Sequence, residues 1–476
     1  MSRTGMAGFF SVMLAISVII GAYSILILPS VQEFSEADLH APNQYIAQSI
    51  PSVPASADGD PRDRPDITVM IYVGQIFEDY GGAIKILVTN NDSRPLFLEE
   101  VSFEWVGTAL NSQIIVNSRI EPNEICEIKA LAVDGPLSDG NNEYQLKMRV
   151  LQLRNNQWYQ MVSGGDVWLS FTEQVIEVQA LAEESDNPID SNVRTYYSRV
   201  NDLVDLSSEN VAMATENATQ GMTGGYNMGK VCAIFDFLVA EVNYTEDPGR
   251  DNWYSPDQTL ETLKGDCEDY AMLLSAMVSD AGGTCRIYLT KDHAFATVYV
   301  GNTTAELDSA MADVQEYYRT QVPIHAFEDD TGYWMVADPL GSFYMGGLAV
   351  GQEPIDGTQG NWDTTFPDSA NLYSIDVTGK DMTPPLYLDP LLWAGMMLVF
   401  GVLTLAFIIS VGAEKPIKTM CHICAGEITE DIYICPTCQT SYHRPCAFSR
   451  TNCMTCQAPI RFPPPPPPSG PNFPTD

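Results

Sequence analysis

The order of hydrophobic and polar positions predicts a β-rich region followed by a mixed one. Between residues 65 and 180, short runs of β-branched and aromatic residues alternate with turn clusters such as residues 138–142. Short strands at this regular spacing predict an antiparallel β-sandwich, which we interpret as immunoglobulin-like. From residue 185 to about 380, apolar positions first recur at helical spacing and then as strand-like runs, which predicts an α+β domain.

Two long apolar stretches, residues 6–28 and 391–411, contain no charged side chain. Each is long enough to span a bilayer, so the sequence predicts two transmembrane helices. A cleaved signal peptide is the alternative for the first stretch, but its length favours an uncleaved anchor. Residues 29–64, rich in Pro, Ser and Ala, are expected to form a stalk. The predicted fold class is therefore a multidomain membrane protein with a β-sandwich and an α+β domain.

The cations that flank these stretches predict an orientation. Arg3 precedes the first stretch, and Lys415 and Lys418 follow the second. Under the positive-inside rule, both termini would be cytoplasmic and residues 29–390 extracytoplasmic. The net charge of −38 at pH 7 repels nucleic acid, so we expect no nucleic-acid partner.

Three residues of the α+β region have side chains that suit acyl transfer. Cys267 opens an apolar helical pattern, where the positive end of a helix dipole favours the thiolate. His293 and Asp338 lie next to strand-like segments that could pair beside it. An imidazole can exchange the proton of the thiol, and a carboxylate can orient the imidazole. Spacing alone, however, leaves inert core residues as the simpler interpretation.

The surrounding motifs resemble the core of the transglutaminase-like superfamily over about residues 205–345. They are WYSP from Trp253, GDCEDYAMLLSAMVSDAGGTCRIY over 265–288, HAFATVYVG over 293–301 and YWMVADP over 333–339. The resemblance implies a papain-like fold and a cysteine peptidase, amidase or cross-linking enzyme. It also implies that Cys267 is the nucleophile, His293 the general base and acid, and Asp338 the orienting carboxylate. An oxyanion hole would use the backbone N–H of Cys267 and the side chain of Trp253.

The sequence departs from the usual pattern of these relatives in two ways. His293 and Asp338 are 45 positions apart, whereas many relatives join the two residues by a short hairpin. Asp308 is closer and stays as an alternative, although it lies in a helix-like insertion. In addition, Asp266 and Glu268 flank Cys267 and oppose formation of a thiolate. Similarity to some bacterial relatives suggests calcium beside these two carboxylates, although helix capping and surface charge explain them more simply.

Seven cysteines and His443 crowd into the segment 420–460. They form four pairs of soft ligands, namely Cys421 and Cys424, Cys435 and Cys438, His443 and Cys446, and Cys453 and Cys456. Eight such ligands predict two structural zinc ions that replace a hydrophobic core. The spacing by itself does not decide between sequential and interleaved pairing of the ligands.

The order C4HC3 resembles RING, PHD-like and prokaryotic RING-type fingers. That resemblance implies a cross-brace in which the first and third pairs share one ion and the second and fourth share the other. Ile423 matches a position where RING ligases contact ubiquitin-conjugating enzymes, but the last pair lacks the proline that those ligases carry. The favoured interpretation is a protein-binding finger, with ubiquitin-ligase activity as the minority one.

The C-terminal tail, residues 462–476, contains six consecutive prolines at 463–468. Such a run favours a polyproline II helix, which could dock on a cytoplasmic protein partner or act as a spacer. The whole sequence therefore predicts a membrane-anchored thiol enzyme that cleaves an external peptide or protein through a thioester. The alternative is a non-catalytic receptor or scaffold, whose outer domain binds a ligand and whose finger recruits a partner.

Overall fold

The computed structural model describes most of the chain, and the bounds of its described segments follow. They are residues 12–19, 34–47, 49–58, 64–162, 166–171, 174–183, 187–191, 193–247, 249, 252–355, 364–369, 371–379, 390–412 and 419–462. The proline run at 463–468 lies outside them, as does most of the first predicted membrane span. Ile25–Pro385 forms one compact unit, to which the two larger domains belong.

Two sheets, antiparallel except for the parallel pairing of β1 with β8, build the β-rich part of this unit. The smaller sheet has the order β2-β3-β6, with β2 (Ile67–Phe77), β3 (Gly81–Asn90) and β6 (Ile125–Val133). The larger sheet centres on β7 (Gly140–Arg154), which pairs with β4 (Leu96–Trp105), β8 (Gln157–Gln160), β9 (Leu169–Ser170) and β10 (Gln174–Val178). Its edges are β1 (Ser56–Asp58) beside β8 and β5 (Asn111–Ile120) beside β4.

The alternation of side chains explains why these strands pack face to face. In β3, Ile84, Ile86 and Val88 are buried, and the residues between them are only partly covered. These side chains share one hydrophobic core with residues of the larger sheet such as Phe103 and Met148. Because successive side chains of a strand point to opposite faces, each sheet buries one face in this core. The immunoglobulin-like assignment of the sandwich stays a prediction.

A six-stranded sheet with surrounding helices forms the second domain. The sheet order is β11-β20-β14-β15-β17-β16, from β11 (Ile189–Ser191), β14 (Cys285–Leu289), β15 (Ala294–Gly301), β16 (Ala326–Asp329), β17 (Gly332–Ala337) and β20 (Leu372–Asp376). The helices are α1 (Arg194–Leu203), α2 (Glu209–Ala218), α3 (Met228–Glu241), α4 (Pro256–Thr262), α5 (Cys267–Asp280) and α6 (Thr304–Tyr318). Two short ladders complete it, β12 (Asn243–Tyr244) with β13 (Lys264–Gly265), and β18 (Glu353–Pro354) with β19 (Thr364–Thr365).

Helix α5 lies at the centre of this domain. Every residue from Glu268 to Val278 is buried, and the apolar side chains among them share a core with Ile287 of β14 and Val298 of β15. A helix covered on all sides holds its first residue in a fixed place. The N-terminal end of α5, where Cys267 lies, is therefore positioned by the core rather than by a mobile loop.

The described residues 34–47 pack along the same domain. The ring of Phe34 stacks on Trp334 at 6.2 Å, and the backbone N–H of Tyr45 donates to Asp313 at 2.8 Å. The ring of Tyr45 lies against the backbone of Gly229, where a Cβ atom would be only 2.2 Å from it. This part of the segment expected to be a stalk thus contacts the domain directly.

A polar network joins the sandwich to the helices. Lys129 of β6 forms an ion pair with Asp236 of α3, whose side chain is 12% exposed. Tyr317 and Tyr318 of α6 also donate hydrogen bonds to Asp236, at 2.7 Å and 2.9 Å. Burial is the main cause that raises the pKa of Asp236, and Lys129 opposes that effect. One carboxylate therefore ties together three elements of two domains.

The second unit contains α7 (Pro390–Gly412) and the cysteine-rich finger. The finger consists of the hairpin β21 (Ile432–Ile434) and β22 (Ser441–His443), followed by α8 (Arg444–Phe448). Its small core holds Tyr442, Ala447 and three cysteines in buried positions. So few apolar side chains cannot form a hydrophobic core large enough to stabilise the finger. Small domains of this kind are usually stabilised by bound metal ions.

The membrane prediction is wrong. Among the residues with described coordinates, no helix has both the length and the apolar character required to cross a bilayer. Within the first predicted span, the structure describes residues 12–19, which are helical. In the second, side chains are described only for residues 394–406. This finding overturns the fold class of a membrane protein with two transmembrane helices and the two-pass localisation derived from it.

The polar network predicts a measurable effect of Lys129 on stability. Lys129→Met should destabilise the protein by about 1–2 kcal/mol, because it leaves the mostly buried Asp236 with its two tyrosine donors alone. We expect less than the roughly 3–5 kcal/mol of a fully buried pair, since solvent screens the partly exposed Lys129. Chemical denaturation monitored by tryptophan fluorescence measures the change.

Lys291→Met is the matched control. Lys291 pairs with Asp292 at 3.6 Å, and both side chains are more than 70% exposed. Its loss should leave the free energy of unfolding unchanged within about 0.5 kcal/mol. Equal effects of the two substitutions would show that the network does not join the domains.

Candidate active site and metal centre

Cys267 is the first residue of α5, directly after the N-cap residue Asp266. Its Sγ donates a hydrogen bond to Oε2 of Glu268 at 3.2 Å. Burial, followed by the charge of Glu268, raises the pKa of the Cys267 thiol to about 12. The expected effect of the helix dipole does not prevail, so the thiol is protonated in this conformation.

His293 and Asp338 meet because of strand pairing. β15 and β17 are antiparallel with Ala296 opposite Ala337, so the start of one strand lies beside the end of the other. His293 immediately precedes β15 and Asp338 immediately follows β17. Nε2 of His293 lies 2.7 Å from Oδ2 of Asp338, and the two side chains are 9% and 2% exposed. The 45-residue separation therefore does not keep the pair apart.

Backbone groups hold the Asp338 carboxylate in place. Its Oδ1 accepts from the N–H of Leu340 at 3.1 Å, and its Oδ2 accepts from the N–H of Val350 at 2.9 Å. Gly341 permits this arrangement, because a Cβ atom there would approach the nitrogen of Val350 to 2.6 Å. A carboxylate with three donors is fixed in orientation and can in turn orient the imidazole.

The thiol lies beside the strand that follows His293. A hydrogen bond from the backbone of Ala294 lowers the pKa of Cys267, against the larger effects of burial and Glu268. Thr290 fixes the backbone of His293 from the preceding turn, since its Oγ1 accepts from the His293 N–H at 3.0 Å. With Nε2 directed at Asp338, Nδ1 is the imidazole nitrogen left for proton exchange with a thiol.

The segment with Trp253 lies against the start of α5. The guanidinium of Arg199 stacks over the Trp253 ring at 3.9 Å, and the neighbouring Tyr254 N–H donates to Oδ1 of Asp269 at 2.7 Å. Burial raises the pKa of Asp269 to about 7. Gly265 makes room for that carboxylate, because a Cβ atom there would lie 2.6 Å from Asp269. Trp253 is thereby anchored nearby, and its oxyanion role stays a prediction.

The other acidic candidates differ in position. Asp308 is exposed on α6, whereas the carboxylate bonded to His293 is that of Asp338. In the described part of the chain, both side-chain clusters with metal-ligand geometry belong to the finger. Neither Asp266 nor Glu268 is part of one, so the structure gives calcium no support.

The eight finger ligands form two interleaved groups. One group is Cys421, Cys424, His443 and Cys446, and the other is Cys435, Cys438, Cys453 and Cys456. Within each group, all ligand atoms lie within 4.8 Å of one another. Because the first pair joins the third and the second joins the fourth, the arrangement is a cross-brace.

The geometry and chemistry of both groups fit zinc. The Sγ atoms of Cys438 and Cys453 are 3.5 Å apart, and those of Cys435 and Cys456 are 3.7 Å apart. Thiolates around a tetrahedral zinc ion, with Zn–S of about 2.3 Å, are separated by about 3.8 Å. In the other group, Nδ1 of His443 lies 3.3 Å from Sγ of Cys424, and its Nε2 contacts the carbonyl of Glu427 at 3.1 Å. That carbonyl fixes the tautomer that directs Nδ1 to the metal.

Sequence reasoning missed several of these contacts. Some of them are made by backbone groups, namely the N–H of Leu340 and of Val350 and the carbonyl of Glu427. They cannot be predicted from residue identity, because every residue except proline carries both a backbone N–H and a carbonyl. The sequence identified Glu268 as a charge that opposes a thiolate, but not as the acceptor of a hydrogen bond from the thiol. Its place one residue after Cys267 was the signal available.

Three solved structures have a remote similarity to this chain. A protein from Archaeoglobus fulgidus has 11% identity and a TM-score of 0.16, and the match covers 24% of this chain and 96% of that one. PapD-like domain 7 of human CEP192 has 10% identity and a TM-score of 0.15, with 28% and 100% covered. Escherichia coli alpha-2-macroglobulin, from domain MG7 to the C-terminus, has 12% identity and a TM-score of 0.17, with 46% and 33% covered. Similarities at this level carry no argument about fold or function.

Comparison with curated proteins gave no significant match. Family models, in contrast, match two parts of the chain and confirm both resemblances seen in the sequence. One, described as the transglutaminase-like superfamily, covers residues 212–339 and so includes Cys267, His293 and Asp338. The other, described as prokaryotic RING finger family 1, covers residues 416–462 with all eight ligands. The chain therefore contains a transglutaminase-like domain and a prokaryotic RING finger.

Proposed function

We propose that the transglutaminase-like domain is a cysteine peptidase or amidohydrolase in which Cys267, His293 and Asp338 form the catalytic triad. The observation that carries the proposal is the largely buried His293–Asp338 pair, with Nε2 and Oδ2 2.7 Å apart, beside the strand that contacts Cys267. A largely buried imidazole oriented by a carboxylate and adjacent to a thiol at a helix N-terminus is the arrangement of a thiol nucleophile with its base.

The reaction follows from these roles. His293 takes the thiol proton as Sγ of Cys267 attacks the carbonyl carbon of an amide. The negative charge that develops on the carbonyl oxygen meets the backbone N–H of Cys267, one of the first four N–H groups of α5 that lack an intrahelical acceptor. His293 then returns the proton to the leaving amine, which departs and leaves a thioester on Cys267.

A water molecule completes the cycle. His293 takes a proton from the water, the resulting hydroxide attacks the thioester, and the thiol of Cys267 leaves with a proton as the acid is released. We favour hydrolysis over cross-linking, because water is always available as acceptor and no amine-binding site is apparent in the residues that the structure describes. The substrate class is a peptide or a protein side-chain amide.

For the finger, we propose two structural zinc ions and the role of a protein-binding module. The cysteine-rich clusters supply four ligands each, which is the number that a closed structural zinc site requires. A partner protein would bind the finger and the proline-rich tail together. Ligase activity has no specific observation in its favour beyond the family resemblance.

Substitution of the triad tests the proposed activity. Cys267→Ala should abolish turnover of a peptide or amide substrate, and His293→Ala should lower kcat by about 10²–10⁴-fold because the base is lost. Asp338→Asn should lower kcat by a similar factor, since it disturbs the orientation and charge of the imidazole. Labelling of Cys267 by an acyl-type electrophile, read by peptide mass spectrometry, reports the thioester chemistry directly.

Asp308→Asn is the control for Asp338→Asn. Asp308 is exposed on α6, so its substitution should leave kcat within about twofold of the wild type. If Asp308→Asn were the damaging change, the assignment of the third residue would be wrong. If His293→Ala left electrophile labelling of Cys267 unchanged, the domain would be a non-catalytic binding module, and the scaffold alternative would replace the enzyme.

Metal analysis tests the finger. The purified chain should contain about two zinc ions, and Cys424→Ser and Cys453→Ser should each lower the content towards one, because they belong to different groups. Chelation should unfold residues 419–462, since metal binding supplies most of the folding free energy of so small a domain. Loss of both ions from a single substitution would contradict two separate sites, unless the finger unfolds as a whole, which circular dichroism of the variant would show.

A further inference from the structure

Glu268 has a position that neither capping nor surface charge explains. The side chain belongs to the first turn of α5, yet the residue is only 7% exposed. Its Oε2 accepts the hydrogen bond from Sγ of Cys267 at 3.2 Å. An acidic residue is rarely buried without a specific partner, and here one of its partners is the nucleophile itself.

We propose that Glu268 is a positioning residue that holds Cys267 as a protonated thiol, so that this hydrogen bond must break before the nucleophile can react. This inference rests on the proposed function of Cys267 and concerns the regulation of the same site. A carboxylate that accepts the S–H bond stabilises the thiol, and it repels the thiolate that would replace it. Both effects act in the same direction, against deprotonation.

The other groups near the thiol do not offset this effect. Asp266 precedes Cys267 and adds a second carboxylate. From β12, Tyr244 faces the same group, and its pKa is raised by burial and then by Cys267, Glu246, Asp266 and Glu268. On the β15 side, the backbone of Ala294 favours the thiolate, and His293 precedes it.

Release of the thiol requires a new partner for Glu268. A hydrogen-bond donor or a cation brought in by the substrate would occupy Oε2, and the Cys267 proton could then pass to His293. The proton is transferred from sulfur to nitrogen, and no further reactant is consumed. The site would therefore stay unreactive towards solutes that lack such a group, which protects a partly exposed thiol from oxidation and alkylation.

The test measures the reactivity of Cys267 apart from turnover. The rate of iodoacetamide alkylation of Cys267 is followed by peptide mass spectrometry between about pH 6 and pH 10, where the thiolate is the minor form, in the wild type and in Glu268→Gln. Gln keeps the shape and can still accept the S–H bond, but it removes the charge, so the rate profile should be displaced to lower pH and the rate at a given pH should rise. If the displacement is about one pH unit, the thiolate fraction rises about tenfold at each pH of the scan, and lower intrinsic nucleophilicity reduces the net gain in rate to roughly threefold.

Three comparisons show whether the effect is specific. Glu268→Asp keeps the charge but shortens the side chain, so its profile should lie between those of the wild type and Glu268→Gln. Asp266→Asn removes a neighbouring charge without removing the hydrogen bond to sulfur, and should move the profile less. Cys126, a partly buried thiol of the sandwich, is an internal reference whose alkylation should be the same in all variants.

The outcomes separate this inference from the proposed function. A profile of Glu268→Gln equal to that of the wild type would overturn the role of Glu268, even if the wild type hydrolyses amides. A displaced profile in a protein that hydrolyses no substrate would support the role of Glu268 and count against the enzyme. If Glu268→Gln does not fold, Glu268→Asp decides by itself. An alkylation profile of Glu268→Asp equal to that of the wild type would contradict the proposal that the distance between the carboxylate and the sulfur controls the reactivity of Cys267.

Discussion

The burial of helix α5 against strands β14 and β15 is the interaction on which the candidate active site depends. Eleven consecutive residues of the helix, Glu268 to Val278, are buried, so its N-terminus cannot move without disturbing the whole core. The same packing places Cys267 beside Ala294 and hence beside His293. Truncation of a large side chain in this core to alanine would destabilise the protein by about 2–5 kcal/mol. The position of Cys267 is therefore as fixed as the core of the domain.

Strand pairing supplies the other half of the site. The register of β15 on β17 brings His293 and Asp338 to one end of the sheet, although α6 and β16 are inserted between them in the sequence. The insertion therefore leaves the pair intact, and it helps to attach the sandwich, since Lys129 of β6 donates a hydrogen bond to Tyr317 of α6 at 3.1 Å. Catalytic geometry and domain attachment thus depend on the same stretch of chain.

Electrostatics sets the resting state of the thiol. A helix N-terminus favours the thiolate, but burial and the hydrogen-bonded carboxylate of Glu268 have a larger opposite effect. The pKa of Cys267 is therefore raised to about 12. The finger presents the opposite situation, because its thiols are grouped for a divalent ion that stabilises their charged form. Cysteine side chains therefore differ between the two domains. The carboxylate beside Cys267 favours the neutral thiol, whereas a divalent ion in the finger would favour thiolates.

The sequence by itself determined the presence of the transglutaminase-like domain and of the RING finger. The motif around Cys267 and the four pairs of metal ligands are local in the sequence, so they can be recognised without knowledge of the fold. The β-rich character of residues 65–180 was also predictable from short runs of β-branched and aromatic residues separated by turns. The two apolar stretches led to a wrong prediction of membrane spans, because no helix among the described residues is both long and apolar enough to cross a bilayer. Only the tertiary structure decided that Asp338 rather than Asp308 meets His293, that the finger ligands interleave, and that Glu268 accepts a hydrogen bond from Cys267. Each of these depends on register or distance between elements of the folded chain, and residue identity alone does not encode them.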